Sequence, residues 1–121
     1  MAPARSTAII TFPDAAIPLE EGAPAPETIL AGNPVNRTWN HYESADGKFF
    51  SGIWEADIGS WTIDYVEDEY CVILSGHSRL TDEQGHAVEV KAGDGFVIPA
   101  GFKGVWEVIE PIRKHYAIYL P

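Results

Sequence analysis

The residue of this sequence best suited to a chemical role is Glu69. It closes the acidic run Glu67-Asp68-Glu69 and directly precedes the apolar run Tyr70–Leu74. A carboxylate at such a boundary either stays in water at a strand end or points inward, where it is a candidate acid, base or binding group. The alternative is an ion pair that only fastens strands, with Lys103, Arg113 or Lys114 as partner. Both interpretations remain open, and Glu69 is the candidate catalytic residue.

Aromatic side chains form the second group of interest. Trp54, Trp61, Tyr65 and Trp106 offer flat surfaces that stack on flat or aliphatic ligands, although aromatic residues also fill the cores of small barrels. The only cysteine, Cys71, lies in an apolar run without an adjacent histidine, which indicates an inert buried thiol. The predicted ligand-binding residues are Trp61, Asp64, Tyr65, Glu69, Lys103 and Trp106.

The elements that must position these residues are β-strands. From Arg37 onward, short runs rich in Trp, Tyr, Phe, Ile and Val are separated by turns that contain Gly or Asp, which is typical of a sandwich or barrel. No stretch has a convincing helical period. The predicted strands are Thr38–Tyr42, Phe49–Glu55, Trp61–Val66, Tyr70–Leu74, Ser78–Thr81, Ala87–Val90, Gly95–Ile98, Gly104–Val108 and Arg113–Tyr119.

The first 36 residues differ from the rest because they hold six of the nine prolines. Proline fixes φ and removes a backbone donor, so this stretch is incompatible with a continuous helix or a central strand. It is predicted to be an ordered arm (1–36) before a barrel domain (37–121), with a partly disordered tail as the alternative. The apolar run Ala8–Phe12 is a candidate strand laid against a second subunit, which predicts a homodimer.

Two segments together resemble the signature motifs of the cupin superfamily. Glu69 and Gly76 have the spacing of the first motif, and Gly93-Asp94, Pro99 and Gly101 have that of the second. The resemblance implies an all-β fold, a single cupin-type jelly-roll barrel of six to eight strands. It also implies a protein that is usually dimeric, with any ligand inside the barrel.

The resemblance extends to a narrower group, the small cupins of unknown function named for their likeness to ureidoglycine aminohydrolase and the ethanolamine-utilisation cupin. It covers about residues 30–120. The segments that carry it are Asp68–Cys71, Pro99–Trp106, Glu110–Lys114, Gly32–Pro34 and Gly52–Glu55.

The sequence departs from the superfamily at its metal ligands. The two histidines of the first motif fall at Thr62 and Asp64 or at Ile63 and Tyr65, and the histidine of the second falls at Gly104. Only Glu69 remains of the usual set, and a lone carboxylate does not hold a transition metal tightly. We therefore predict no metal and no cofactor; the alternative is a weak divalent-cation site at Glu69 with Asp64. Surface or structural roles are expected for His41, His77, His86 and His115.

Composition excludes several partners. Eighteen acidic and eight basic residues give a net charge of −10 and a pI near 4.6, so phosphate backbones and anionic membranes are repelled. One cysteine excludes a disulfide framework. No apolar run reaches the roughly 18 residues of a membrane span, and no run after the N-terminus is long enough for the apolar segment of a signal peptide, so a cytoplasmic location is expected.

These observations favour a protein that binds a small polar metabolite inside a barrel without a tightly bound transition metal. One alternative is an enzyme of hydrolase or isomerase type that acts on a small metabolite, by analogy with ureidoglycine aminohydrolase. The other is a structural dimer that serves as a partner for another protein. Whether the chain is an enzyme is left open by the sequence.

Overall fold

A computed structural model describes residues 7–121, and its regular elements are strands apart from one short 3₁₀ turn at Pro26–Thr28. This confirms the all-β prediction. No helix in these residues has the length and apolar character that crossing a membrane requires. The strands are β1 (Glu20–Gly22), β2 (Ile29–Gly32), β3 (Asn36–Glu43), β4 (Phe49–Ala56), β5 (Gly59–Asp64), β6 (Asp68–Asp82), β7 (Ala87–Lys91), β8 (Gly95–Ile98) and β9 (Lys103–Tyr119).

All strand pairs are antiparallel, and the sheet curls into a barrel. One path runs β1-β3-β4-β9-β5-β2, while β6 pairs with β7, β8 and β9. The two long strands β6 and β9 pair with each other along most of their length, and this pairing joins the six-strand path to β7 and β8. Side chains alternate between the faces of a strand. The alternate residues Ile112, Lys114 and Tyr116 of β9 therefore point into the barrel and are buried.

Two pairs of predicted strands are single strands in the structure. Tyr70–Leu74 and Ser78–Thr81 merge into β6, and the last two predicted strands merge into β9. The turn expected at Gly76 is instead an irregularity in the pairing of β6 with β9. Gly76 has φ +89°, and a Cβ there would overlap the carbonyl oxygen of Pro111, so only glycine fits. A glycine thus marks a kink within a strand here, a common position for a bulge.

Residues 7–19 pair with no described strand of their own chain, and the prediction that Ala8–Phe12 forms a strand against a second subunit stays a prediction. The Phe12 ring instead packs on the barrel's outer face, 4.3 Å from the His41 ring centroid and 5.4 Å from that of His115. Beneath this segment Ile53 is only 2% exposed, although it points away from the barrel interior. The homodimer built on the arm stays a prediction.

Strands β1 and β2, which lie at the two ends of the sheet path, were not predicted from the sequence. Both belong to the proline-rich segment. Proline is tolerated near edge strands because one row of backbone groups needs no partner there. The division of the chain at residue 36 stays a prediction.

Candidate functional site

A cavity of about 650 Å³ occupies the interior of the barrel. Strands β3, β4, β5 and β9 supply most of its wall, and the start of β6 supplies Glu69. The wall includes four predicted ligand residues and several that were not predicted. The polar and aromatic lining residues include Asn40, Trp54, Trp61, Tyr65, Glu69, Trp106, Lys114 and Tyr116.

The register of β5 decides which predicted residues reach the cavity. Trp61, Ile63 and Tyr65 line it, while the side chain of Asp64 is exposed. In the pairing of β5 with β9, Asp64 lies opposite Lys103, and both residues line a separate outer depression. The prediction that Asp64 and Lys103 line the barrel cavity is therefore wrong, because side-chain alternation carries them to the other face.

At the centre of the cavity wall, Glu69 forms a buried ion pair with Lys114. Lys114 Nζ lies 3.0 Å from Glu69 Oε2, and each side chain is 4% exposed. The hydroxyl of Tyr65 donates to the other carboxylate oxygen at 2.7 Å. Of the three partners proposed from the sequence, the structure selects Lys114. Glu69 is therefore both a partner in the ion pair and a part of the cavity wall.

Two indole rings surround the ammonium group of Lys114. Its Nζ lies 4.7 Å from the ring centroid of Trp54 and 4.6 Å from that of Trp106, within the range of a cation–π contact. Trp61 stacks on Trp106 with centroids 6.4 Å apart and ring planes 14° from parallel. Trp106 is itself fixed by donating its indole N–H to Ser78 Oγ at 3.1 Å.

The protonation states at this site follow from burial and from the ion pair. Burial is the largest influence on Lys114 and opposes its charge, but Glu69 and Cys71 together outweigh burial, so the pKa of Lys114 stays above its usual value. Burial raises the pKa of the Cys71 thiol to about 12, even though Lys114 donates to its Sγ at 3.4 Å. Burial and the neighbouring Glu69 raise the pKa of Tyr65. At neutral pH the site therefore holds an ammonium group, a neutral thiol and a neutral phenol.

Sequence reasoning missed Tyr116 and Asn40 as cavity residues. The Tyr116 hydroxyl donates to Asn40 Oδ1 at 2.6 Å, over Gly52 of β4, which pairs with both residues. Tyr116 lies two residues after Lys114 on β9, and burial is the main reason that its pKa is raised. The alternation of Ile112, Lys114 and Tyr116 was a usable signal, but only once one of them was known to face inward.

The inward register also identifies the residues at the metal-ligand positions of other cupins. Of the two candidate pairs, Ile63 and Tyr65 both line the cavity, whereas Asp64 is exposed. At Gly104, a Cβ would overlap the carbonyl oxygen of Thr81. Among residues 7–121, no group of three or more His, Cys, Asp or Glu side chains is arranged to hold a metal ion.

The four histidines lie outside the cavity wall. His41 Nε2 accepts the amide N–H of Asp14 at 3.2 Å, and its Nδ1 lies 2.8 Å from the Trp39 carbonyl oxygen. His77 contacts Glu89 at 2.8 Å, and His86 lies near Asp82. His115 contacts the Phe12 ring. All four sit in structural or surface contacts, and metal use by the chain stays a prediction.

The sequence profile of the EutQ-like cupin domain matches residues 43–116, well over half of the chain. The chain belongs to the EutQ-like cupin family. The cupin-type barrel expected from the sequence is thereby confirmed, together with the solved structures that resemble it. No curated protein matches this cupin significantly in sequence. Its likeness to ureidoglycine aminohydrolase stays a prediction.

Three solved structures illustrate the likeness. A DUF861 protein of unknown function from Pseudomonas syringae superposes with a TM-score of 0.77 at 22% identity over 87% of this chain. EutQ from Clostridium difficile gives 0.64 at 20% identity over 72%. A DUF861 protein from Thermotoga maritima gives 0.52 at 38% identity over 53% of this chain and 73% of its own. This cupin spans 46% of the Pseudomonas protein and 64% of EutQ.

Proposed function

We propose that this cupin binds a small polar metabolite in the barrel cavity and does so without a tightly bound transition metal. The observation that carries the proposal is the combination of free volume with a dehydrated ion pair in the cavity wall. A volume of about 650 Å³ is within the range of small-molecule sites, which combine apolar walls with a few placed polar groups.

The polar groups of the wall are held in fixed positions. Glu69 is bound from two sides, by Tyr65 and by Lys114, and Tyr116 is bound to Asn40. Side chains fixed in this way lose little freedom when a ligand binds, which favours affinity. Thr38 and Asn36 of β3 add hydroxyl and amide groups to the same wall.

The proposal is tested by native mass spectrometry of the tag-free protein, followed by thermal-shift screening against small metabolites. We expect a co-purified or added compound to raise the melting temperature of the wild type. Thr38→Trp should abolish the shift, because Thr38 faces the cavity and a larger side chain fills it. Val88→Trp is the matched control, since Val88 is exposed on β7. No ligand in either experiment would favour the structural-dimer alternative.

An enzyme of hydrolase or isomerase type is the second candidate, as proposed from the likeness to ureidoglycine aminohydrolase. The observation that favours it is the contact between the Tyr65 hydroxyl and the Glu69 carboxylate at 2.7 Å in the cavity wall. A carboxylate in a cavity wall that is oriented by a phenol is the type of group that serves as a general base toward a bound ligand.

The two candidates are separated by Glu69→Gln. Turnover of an identified ligand that disappears in this variant while the ligand still binds would establish the enzyme. Binding without turnover in both proteins would support the binding function alone. Gln keeps the shape of the side chain, and circular dichroism of the variant checks that the barrel is intact.

A further inference from the structure

We propose that the ligand of the barrel cavity is a small organic cation, an amine with a flat or aliphatic body. This inference rests on the proposed binding function and names its ligand class. It starts from the cavity's own ammonium group, which shows how this wall stabilises a cation. Lys114 Nζ is held by one carboxylate and by the faces of Trp54 and Trp106.

The charge balance of the wall disfavours an anionic ligand. Lys114 is the only Lys, Arg or His among the described residues that line the cavity, and Glu69 already neutralises it. A carboxylate or phosphate ligand would have to displace Glu69 and leave it unpaired at 4% exposure. An unpaired buried carboxylate is strongly unfavourable, so the ion pair resists such a ligand.

Three further carboxylates line the same cavity, from Glu20, Glu43 and Glu67. Within the described part of the chain, the cavity lining therefore holds four carboxylates, with Glu69, against the one ammonium group of Lys114, and this excess of negative charge favours a cation there. Two of them also affect the phenols: after burial, Glu69 and Cys71, Glu67 contributes to the raised pKa of Tyr65, and after burial Glu20 contributes to that of Tyr116.

The aromatic wall suits the body of such a ligand. Trp54 and Tyr65 are only partly buried and line the cavity beside the stacked pair Trp61 and Trp106. Indole and phenol rings attract a cation through their faces and contact an apolar body at the same time. Neutral polar ligands would use the rings but gain nothing from the carboxylates.

The experiment compares three probes of similar shape by isothermal calorimetry: 2-phenylethylamine, 2-phenylethanol and 3-phenylpropionate. We expect the amine to bind at least about fivefold more tightly than the alcohol. The carboxylate should bind more weakly than the alcohol. Added salt should weaken the amine alone, because it screens the carboxylates.

Two matched variants distinguish the effect of the Glu67 charge at the cavity from a general effect of lost negative charge. Glu67→Gln should weaken the amine by about threefold and leave the alcohol unchanged. Glu110→Gln removes the same charge at an exposed position on β9 outside the cavity wall, and it should change neither. Equal weakening by the two variants would mean a general effect of net charge and would overturn the inference.

An alcohol or a carboxylate that binds as tightly as the amine overturns the cation inference and leaves the binding function standing. Binding of none of the three probes rejects the cation inference as well. The binding function is decided separately, by the native mass spectrum and the Thr38→Trp comparison. The two proposals therefore fail by different measurements.

Discussion

Two successive residues of β9, Arg113 and Lys114, place a cation on each face of the same strand. Arg113 Nη1 lies 3.3 Å from Glu55 Oε2 on the outer face, where the two side chains are 36% and 25% exposed. Lys114 lies 3.0 Å from Glu69 on the inner face, at 4% exposure for both. The distances are nearly equal, but the surroundings are opposite.

The comparison shows that burial, and not distance, decides what an ion pair does for a barrel. On the outer face water solvates each charge separately, so the loss of either partner costs little. On the inner face the protein has replaced that water with one carboxylate, one thiol and two indole rings. Removal of one charge there leaves its partner without compensation.

The largest expected effect is that of Lys114→Met. The substitution keeps the length of the side chain but leaves Glu69 buried with only Tyr65 as donor. We expect the free energy of unfolding to fall by about 3–5 kcal/mol. Urea unfolding followed by tryptophan fluorescence measures it. The double variant Glu69→Gln with Lys114→Met should recover much of the loss, because no buried charge remains.

The matched control on the outer face is Arg113→Gln, which removes the same charge one residue away. We expect a loss below about 1 kcal/mol. Similar losses for Arg113→Gln and Lys114→Met would contradict the comparison, since they would mean that burial does not distinguish the two pairs.

A second test asks whether the inner face accepts a metal ligand at Gly104, where other cupins have histidine. A Cβ there overlaps the Thr81 carbonyl oxygen, so Gly104→His should lower the free energy of unfolding by about 1–3 kcal/mol or more. We expect neither this variant nor the wild type to bind Mn, Fe(II), Co, Ni or Zn stoichiometrically. Elemental analysis of tag-free protein and a thermal-shift panel measure this.

A bound metal ion would raise the melting temperature of the protein by a measurable amount. A ligand at about 100 times its dissociation constant adds about 2.7 kcal/mol of stability. In a domain of this size, at about 3–6 °C per kcal/mol, that corresponds to a rise of about 8–16 °C in melting temperature. One metal ion per wild-type chain, lost in Glu69→Ala, would overturn the metal-free prediction.

A third test removes the cover of the outer face. Phe12→Ala deletes the ring that packs on His41 and His115 and loosens the segment above Ile53. Because Phe12 is only partly buried, we expect a loss of about 1–2 kcal/mol in the free energy of unfolding. Ile9→Ala is the control, since Ile9 is exposed and should change stability little.

Light scattering of the Phe12→Ala variant and the wild type also examines the homodimer predicted from the sequence. We expect a dimer for the wild type at micromolar concentration. A monomeric wild type would reject that prediction, and an unchanged dimer in the variant would place the interface away from Phe12.

The smallest expected effect is a pH dependence from the outer face. Burial, with Arg113 and His41 nearby, lowers the pKa of His115 below its ordinary value. The unfolded chain then binds a proton more readily than the folded chain. Stability from this group is complete above pH 6.5 and is lost as the pH falls through the folded pKa. Urea midpoints from pH 7.5 to 5.5 measure it.

His115→Asn should flatten this part of the pH profile, while His86→Asn should leave it unchanged because the His86 side chain is exposed. A profile that is identical in the wild type and both variants would show that His115 does not contribute.

Much of the fold was predictable because it depends on local signals. The runs of β-branched and aromatic residues between glycine turns identified seven of the barrel's strands, although two pairs of predicted strands proved continuous. The spacing of Glu69, Gly76, Pro99 and Gly101 indicated the cupin barrel. The edge strands β1 and β2 were not predicted, because short strands between prolines have too few residues to show a period of two.

The site was less predictable, since it depends on which face of each strand points inward. Trp61, Tyr65, Glu69 and Trp106 were placed in the cavity correctly, whereas Asp64 and Lys103 were not. A shift of one residue in β5 exchanges the two faces, and the sequence is compatible with both.

The sequence by itself determined the all-β class, the barrel motifs and the absence of histidine at the usual ligand positions, because these are properties of residue type and spacing. Only the tertiary structure decided that Lys114 is the partner of Glu69. The two residues are 45 positions apart. In the pairing of β6 with β9, Glu69 lies opposite Ile118 and Lys114 opposite Ile73, so the long Lys114 side chain reaches along the inner face past Cys71 to Glu69. Composition carries no information about that register.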